Sequence, residues 1–319
     1  MTKILINIPA FNEEEKIGQT IKNIIEDTKW IWDITIQVVD DWSKDDTVKI
    51  AKESWAWIVI SHEFNKWVWW AFKTAVENFL SWDFDIMINI DADWQFDSKD
   101  IKKLIEPIQN NDSDIVIASR FSWKKADGIP MIKDKLNRLI SWIVWALMWK
   151  KIDDLTCGFR AYSRESLMRL NLIETFTYTQ ETIIDAFWKN LRIKWVPVSV
   201  KYFEDRQSRV VKSIFWYITK SMMIILRTVR DVRPLIFFWL PGLIFIIFSI
   251  FFFWVFLFNY LETFQTTPYR TWLIISWTLF SIWLLLFIFA SIADMIKKHR
   301  KISEENLYLL RRIIYKDKK

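Results

Sequence analysis

Four short polar stretches each follow an apolar run of strand length, and together they hold most of the side chains able to do chemistry. They are Pro9-Ala-Phe-Asn-Glu-Glu14, Asp40-Asp41-Trp-Ser-Lys-Asp-Asp46, His62-Glu-Phe-Asn-Lys-Trp67 and Asp91-Ala-Asp-Trp-Gln95. Residues two apart share one face of an extended chain, so Asp91, Asp93 and Gln95 are expected to present oxygen ligands in one direction. Hard donors of this kind suit Mg2+ or Mn2+, ions that complete their shells with water and a substrate diphosphate. Asp40 and Asp41 can accept hydrogen bonds from a ribose or a base edge. Capping the next helix is the other reading, although Ser43 and Asp45 suit that task better. Arg120 in "ASRF" and Arg206 and Arg209 in "EDRQSR" offer guanidinium groups that match phosphate geometry, with ordinary surface arginine as the alternative. His62 and His299 are too few and too far apart for a metal site and are given no catalytic role.

The elements that must position these residues are legible as alternation. Apolar runs at Ile4–Ile8, Ile34–Val39, Ile58–Ile60, Ile86–Ile90 and Ile115–Ala118 predict strands, and Glu14–Thr28, Asp45–Ser54, Val68–Phe79 and Ser98–Asn110 predict helices between them. Such alternation implies an α/β fold with a doubly wound, mostly parallel sheet. Ligands in these folds bind beyond the carboxyl ends of the strands, and all four polar stretches lie there.

Two uncharged apolar segments follow, Leu235–Phe258 with 24 residues and Trp272–Ala293 with 22. Each exceeds the ~20 residues needed to cross a bilayer, and in tandem they predict two membrane spans. Arg227, Arg230 and Arg233 precede the first; Lys297, Lys298, Arg300 and Lys301 follow the second; only Arg270 lies between. By the positive-inside rule both flanks, and so the sheet domain, face the cytoplasm. The expected organisation is a sheet domain over 1–205, juxtamembrane amphipathic helices over 206–234, two spans with a short external loop over 235–293 and a basic tail over 294–319. In that tail Ser303, followed by Glu304 and Glu305, is expected to cap a short separate helix with a solvated face. From Lys297 onward nine Lys/Arg oppose three acidic residues, which by itself equals the chain's formal charge of +6. The basic excess is therefore a local tail and not a nucleic-acid surface. A single cysteine, Cys157, excludes an internal disulfide and suits a reducing compartment, and no signal-peptide pattern opens the sequence.

Taken in order, "IPAFNEEEKI", "VVDDWSKDDT", "NKWVWWAFKTA", "INIDADWQFDSKDI", "ASRF", "DDLTCGFRAYSRESL" and "YTQETIIDAF" closely resemble the family-2 glycosyltransferases of the GT-A fold. Within these the sequence is most similar to the polyprenyl-phosphate glycosyltransferases with two C-terminal membrane helices. The resemblance implies that Pro9, Phe11, Glu13, Asp40 and Asp41 contact the nucleotide, that Asp91, Asp93 and Gln95 form the metal and diphosphate motif, and that Arg120 and Arg209 lie near the phosphates. Asp154 matches an acidic residue of the acceptor loop. It implies a UDP- or GDP-linked sugar donor, a polyprenyl phosphate acceptor, Mg2+ or Mn2+, and a membrane setting; a homo-oligomer is compatible with it. The Q-x-x-R-W signature of processive synthases is absent from the sequence, which favours transfer of a single sugar.

One departure stands out. The chain has 4 Gly and 22 Trp, where ordinary usage is about 7% Gly and Trp is among the rarest residues. Where the family pattern has glycine, this sequence has Trp42, Trp67, Trp69, Trp70 and Trp94, and Trp142, Trp145 and Trp149 sit where small residues would let a helix pack closely. Loops of this kind use glycine for positive φ or for close approach of backbone to a diphosphate. A UGA codon decoded as glycine in the source but translated as Trp on paper would give this pattern. If the indoles are real, the alternative is a membrane-anchored, non-catalytic scaffold with a blocked cleft.

Overall fold

The computed structural model describes residues 2–31, 33–120, 152–171, 178–200, 223, 226–227, 230, 233–267 and 269–316. In chain order these form β1 (Ile4–Ala10), α1 (Ile17–Asp27), β2 (Ile34–Asp40), α2 (Thr47–Glu53), β3 (Ile58–Ser61), α3 (Trp67–Ser81), β4 (Ile86–Asn89), a 3-10 turn (Ser98–Asp100) leading into α4 (Ile101–Gln109), β5 (Ile115–Ser119), β6 (Arg160–Ser163), α5 (Arg164–Arg169), α6 (Tyr178–Trp188), β7 (Ile193–Pro197), α7 (Pro234–Thr263) and α8 (Arg270–Lys316). The seven strands make one sheet in the order β3-β2-β1-β4-β6-β5-β7. All pairings are parallel except those of β6, which runs against both β4 and β5. The mostly parallel α/β sheet is as expected, with one reversed strand.

The physical causes are ordinary ones. Strands β1, β4 and β5 are almost continuously Ile-rich and buried, as strands covered on both faces must be. Helix α1 buries the stripe Ile17, Thr20, Ile21 and Ile24 and leaves its other face polar. Helix α5 opens on Ser163, whose hydroxyl accepts from the Ser166 amide, with Glu165 in the first turn.

Three helices end in the same pair of backbone bonds. After α4, Asn111 N–H donates to Ile108 O and Asp112 N–H to Pro107 O; after α6, Asn190 donates to Phe187 O and Leu191 to Ala186 O; after α2, Trp55 donates to Lys52 O and Ala56 to Ala51 O. This is the Schellman arrangement, whose central residue must be left-handed and is usually Gly or sometimes Asn. Asn111, Asn190 and Trp55 have φ of 58°, 54° and 73°.

By compactness the chain divides into Met1–Gln207 together with Leu307–Lys319, and Ser208–Asn306. In the second unit α7 and α8 are each long and apolar enough to cross a bilayer. They are joined across their faces by a reciprocal pair, Ser249 Oγ to Ser276 O and Ser276 Oγ to Ser249 O, each 2.9 Å. Gly242 lies against Trp283 and Leu286, where an added Cβ would meet atoms at 3.5 Å and 3.8 Å. Small and hydroxyl residues are the contacts by which helices approach in lipid. The juxtamembrane stretch expected to be amphipathic falls mostly outside the described residues, as do Trp142, Trp145, Trp149, Arg206 and Arg209.

The separate tail helix is not found. Helix α8 runs unbroken to Lys316, and the Ser303 hydroxyl bonds back to His299 O instead of capping. Between Ala293 and Ser303 there is neither Gly nor Pro, and good helix formers carry the helix on. Its end is not simply solvated either. Arg311 Nη1 donates to Met168 O at 3.0 Å, Leu170 O at 2.7 Å and Asn171 Oδ1 at 3.2 Å, and Tyr308 OH donates to Glu165 Oε1 at 2.8 Å. A cation here satisfies the orphan carbonyls at the negative end of α5. Arg311→Ala is expected to destabilise the sheet unit by about 1–3 kcal/mol, the cost of leaving such carbonyls unpaired. Thermal unfolding checks this, and an unchanged midpoint would mean that the docked tail contributes nothing.

Candidate active site

The first two loops beyond the sheet's carboxyl edge are tied to each other. Asn12 N–H donates to Ser43 Oγ at 2.8 Å, Lys44 N–H to Asn12 Oδ1 at 2.8 Å, Glu13 N–H to Thr47 Oγ1 at 2.8 Å and Asp46 N–H to Glu14 Oε2 at 3.0 Å. Burial acts to raise the Asp45 carboxyl, but bonds from the Thr47 hydroxyl and amide and from the Glu14 amide outweigh it and leave it below its ordinary value. Pro9 is the penultimate residue of β1, and Phe11 and Glu13 occupy this interlocked rim.

Asp40 and Asp41 are both buried but differ in what they hold. The Asp40 carboxylate receives the Ser43 amide at 3.2 Å and 3.3 Å, which closes the turn through Trp42. The Asp41 carboxylate receives the Lys66 and Trp67 amides and His62 Nδ1, each at 2.8 Å. Asp41 thus caps the start of α3 from a distant loop, with His62 steadied by Thr74 Oγ1 at 3.0 Å. His62, which the sequence reading set aside, is a structural member of the site.

The stretch "DADWQ" is not extended. Strand β4 ends at Asn89, and Ala92 to Trp94 form a turn in which the Gln95 amide donates to Asp93 Oδ1 at 3.2 Å. The expectation that alternation would align Asp91, Asp93 and Gln95 on one strand face fails, because Trp94 takes φ of 61° and reverses the chain. Asp91 faces another loop: a Cβ added to Gly158 would lie 3.1 Å from Asp91 Oδ2 and 3.1 Å from Tyr178 OH. A side chain there would have to push the carboxylate and the phenol aside by a few tenths of an ångström, so glycine suits the close approach. Burial, and then the Asp91 carboxylate, hold the Tyr178 phenol well above its ordinary value, so it serves as a neutral donor.

Among the described residues no three His, Cys, Asp or Glu side chains gather as a metal-binding group. Two carboxylates, Asp91 and Asp93, in adjoining turn positions fit a hard cation that takes its remaining ligands from water and a diphosphate. They do not fit a closed structural metal centre.

Arg120 and Asp154 meet as a fork. Arg120 Nε lies 2.7 Å from Asp154 Oδ2 and Nη2 lies 2.9 Å from Oδ1, while Nη2 also reaches Thr156 Oγ1 at 2.6 Å. Asp154 is fully buried and also accepts from the Thr156 amide at 3.0 Å. In this geometry the Asp154 carboxylate fixes the orientation of the Arg120 guanidinium.

The model of the family "Glycosyl transferase family 2" matches residues 6–170. The chain belongs to that family. An uncharacterized protein of Methanocaldococcus jannaschii is 32% identical over 211 residues, covering 65% of this chain and 85% of its own. UDP-N-acetylglucosamine–dolichyl-phosphate N-acetylglucosaminyltransferase of Methanococcus voltae is 31% identical over 226 residues, covering 65% of this chain and 88% of its own. In fold, the chain is similar to glucosyl-3-phosphoglycerate synthase from Mycobacterium tuberculosis, solved with Mn2+, UDP and glucosyl-3-phosphoglycerate. The TM-score is 0.55 at 19% identity, covering 70% of this chain and 80% of that one. The sheet is of GT-A type and the chain is a glycosyltransferase.

This family-2 chain carries tryptophan at backbone positions that disfavour it. Trp42, Trp55, Trp67 and Trp94 have φ of 71°, 73°, 71° and 61°; among the described residues the other non-glycine positions of this kind are three Asn and Phe264. The expectation of glycine-type backbone therefore holds at 42, 67 and 94. Trp69 and Trp70 lie inside α3 without positive φ, and Trp69 is buried with its Nε1 on Glu181 Oε2 at 3.1 Å. In the chain as written, Trp→Gly at 42, 55, 67 or 94 is expected to stabilise by about 1 kcal/mol each through relief of left-handed strain. Chemical denaturation of the four single variants checks this, with Trp70→Gly, in a helix interior, expected to destabilise by a similar amount.

Proposed function

We propose that this glycosyltransferase moves a single sugar from a nucleotide-sugar to a polyprenyl phosphate, with inversion and with a divalent cation, at the cytoplasmic face of a membrane. The observation that carries the reading is the pairing of a two-carboxylate turn, Asp91 and Asp93, with the Arg120–Asp154 fork at the same carboxyl edge of the sheet. Two long apolar helices support the lipid acceptor, as does the activity for which the Methanococcus voltae relative is named.

In this reading Asp40, Pro9, Phe11 and Glu13 bind the nucleoside, and Asp41 holds the wall formed by α3. Asp91 and Asp93, with Gln95 beside them, would hold Mg2+ or Mn2+, which when bound neutralises charge on the diphosphate. One oxygen of the lipid phosphate attacks the anomeric carbon from the face opposite the nucleotide. The new C–O bond forms as the bond to the diphosphate oxygen breaks, and the nucleoside diphosphate departs with the electron pair. The attacking phosphate is already ionised at neutral pH, so no strong general base is required. Arg120, together with Arg206 and Arg209, draws the acceptor or leaving phosphate.

Asp154 is then a positioning residue and not a base. Asp154→Asn is expected to lower stability by about 3 kcal/mol, as a broken buried ion pair does. Single-turnover transfer should persist within about tenfold, while Asp91→Asn should reduce transfer by ~10²-fold or more. Rapid-quench assays with radiolabelled donor and a polyprenyl phosphate in detergent measure both. Loss of chemistry in Asp154→Asn with donor binding intact would instead assign Asp154 the role of base. A ladder of products in place of one would identify a processive synthase instead.

The left-handed tryptophans bear on the same site. We further propose that the residues at 42, 55, 67 and 94 are glycine in the protein as its source makes it, through UGA decoded as glycine. Peptide mass spectrometry of the native protein reads these positions directly. Tryptophan at all four would favour the scaffold over the enzyme as this chain's working role.

A further inference from the structure

A row of polar side chains crosses the buried sheet one layer beneath the site. Gln37, Asn7 and Asn89 are direct cross-strand partners on β2, β1 and β4, and Asn89 is in turn paired with Arg160 on β6. All four have no solvent exposure. They are joined in one direction. Asn78 on α3 donates to Gln37 Oε1 at 2.5 Å, Gln37 Nε2 to Asn7 Oδ1 at 3.0 Å, and Asn7 Nδ2 to Asn89 Oδ1 at 2.7 Å. Asn89 Nδ2 then donates to Tyr178 OH at 2.9 Å and Gly158 O at 3.2 Å. The polarity is forced, because a backbone carbonyl only accepts; Asn89 must present its NH2 to Gly158, and each amide behind it must then turn the same way.

Arg160 completes the row with a buried guanidinium. Among the described residues its hydrogen bonds all go to neutral oxygens: Cys157 O at 2.7 Å, Leu155 O at 3.2 Å, Thr179 O at 2.8 Å and Thr182 Oγ1 at 2.7 Å. Burying an amide chain and a charge in an apolar core is costly unless every group is satisfied, so the arrangement calls for a reason. Its outputs supply one. Asn89 and Arg160 between them hold the carbonyls of Leu155, Cys157 and Gly158, three residues of the loop that brings Gly158 against Asp91 and Asp154 to Arg120.

We propose that Asn89, Tyr178 and Arg160 are positioning residues that clamp the Asp154–Phe159 loop against Asp91, so that binding of a nucleoside diphosphate with its cation depends on a row that touches neither. The part concerning the cation rests on the metal reading of Asp91 given above. The part concerning the loop does not.

The loop carries its own reporter. Cys157 is the chain's single cysteine and is fully buried, and burial raises its thiol to about 12, so it is poorly reactive while the loop is docked. The test uses the full chain in detergent, with the residues that peptide sequencing finds at 42, 67 and 94. In Asn89→Leu, which keeps the branched shape and removes the clamp, N-ethylmaleimide is expected to label Cys157 ~10-fold faster or more, and UDP or GDP with Mn2+ to bind ~10-fold more weakly, the range typical of supports one step behind a metal ligand. Tyr178→Phe, which removes one oxygen and keeps the ring, is expected to shift labelling about fivefold in the same direction, the factor for one ordinary hydrogen bond. It carries the test if Asn89→Leu does not fold. Ile24→Ala, a cavity in buried α1, lowers the melting temperature without touching the row and should leave both readouts at parent values.

Parent-like labelling in Asn89→Leu and Tyr178→Phe overturns the proposal. So does faster labelling in Ile24→Ala, since that would make the row a source of general stability alone. If labelling behaves as expected but Asp91→Asn leaves Mn2+-dependent nucleotide binding unchanged in the parent background, the metal reading fails and the clamp stands.

Discussion

The site depends on one reversed strand. In a parallel sheet only residues that follow a strand reach the carboxyl edge. β6 runs against β4 and β5, so the segment that precedes it, Asp154 to Phe159, arrives at that edge instead. The chain can therefore place Gly158 beside Asp91, two residues past β4, and Asp154 beside Arg120, one residue past β5. Insertion between its two neighbours is what lets a single loop serve both strand ends. A parallel β6 would deliver α5 to the site and Asp154 to the opposite edge.

Electrostatics then divides the edge into two parts. Asp91 and Asp93 are two carboxylates of one turn, while the Asp154 carboxylate is held by Arg120 and Thr156. Both substrates in the proposed reaction are anions, a diphosphate and a lipid phosphate. An anionic turn receives a diphosphate only through a cation, and a guanidinium held in a fixed orientation receives a phosphate directly. Asp154 lends Arg120 direction at the expense of part of its charge. The Asp41 carboxylate has a different task, since three donors already converge on it and it fixes the start of α3.

Much of this was legible in the sequence because parallel strands and their loops leave strong signals. Five strands and four helices lie within a few residues of where the pattern puts them, and Asp40, Asp91 and Arg120 stand at or just past the ends of strands as the alternation implies. What escaped has physical reasons. β6, "RAYS", is too short and mixed for its alternation to register, so its reversal and the role of Arg160 were invisible. The stretch Asp91–Gln95 reads as extended in the sequence because propensity does not place a tryptophan at positive φ. The continuity of α8 through Ser303 is hidden because a Ser-Glu-Glu sequence looks the same whether the serine caps a new helix or bonds back within an old one. Asn7, Gln37 and Asn89 did leave a trace: each is a lone amide in an apolar run, two or three residues before the polar stretch that follows it. Only pairing register turns three separate oddities into one row.

The tryptophans separate by the same kind of local reasoning. Trp55 is the most informative, since it stands far from any proposed ligand, on the surface at 73% exposure, in a helix terminus whose two counterparts use Asn. No function in a nucleotide cleft selects a residue there; only the left-handed backbone does. Trp42, Trp67 and Trp94 have the same φ within about ten degrees but lie in the site loops, so strain and function are confounded at each of them. Agreement between a position with no chemistry and three with chemistry points to the backbone as the common cause. Trp69, helical, buried and bonded to Glu181, has no such cause, and its indole is held as a core indole is. The conformational demand thus picks out individual positions where composition alone could indicate only an excess.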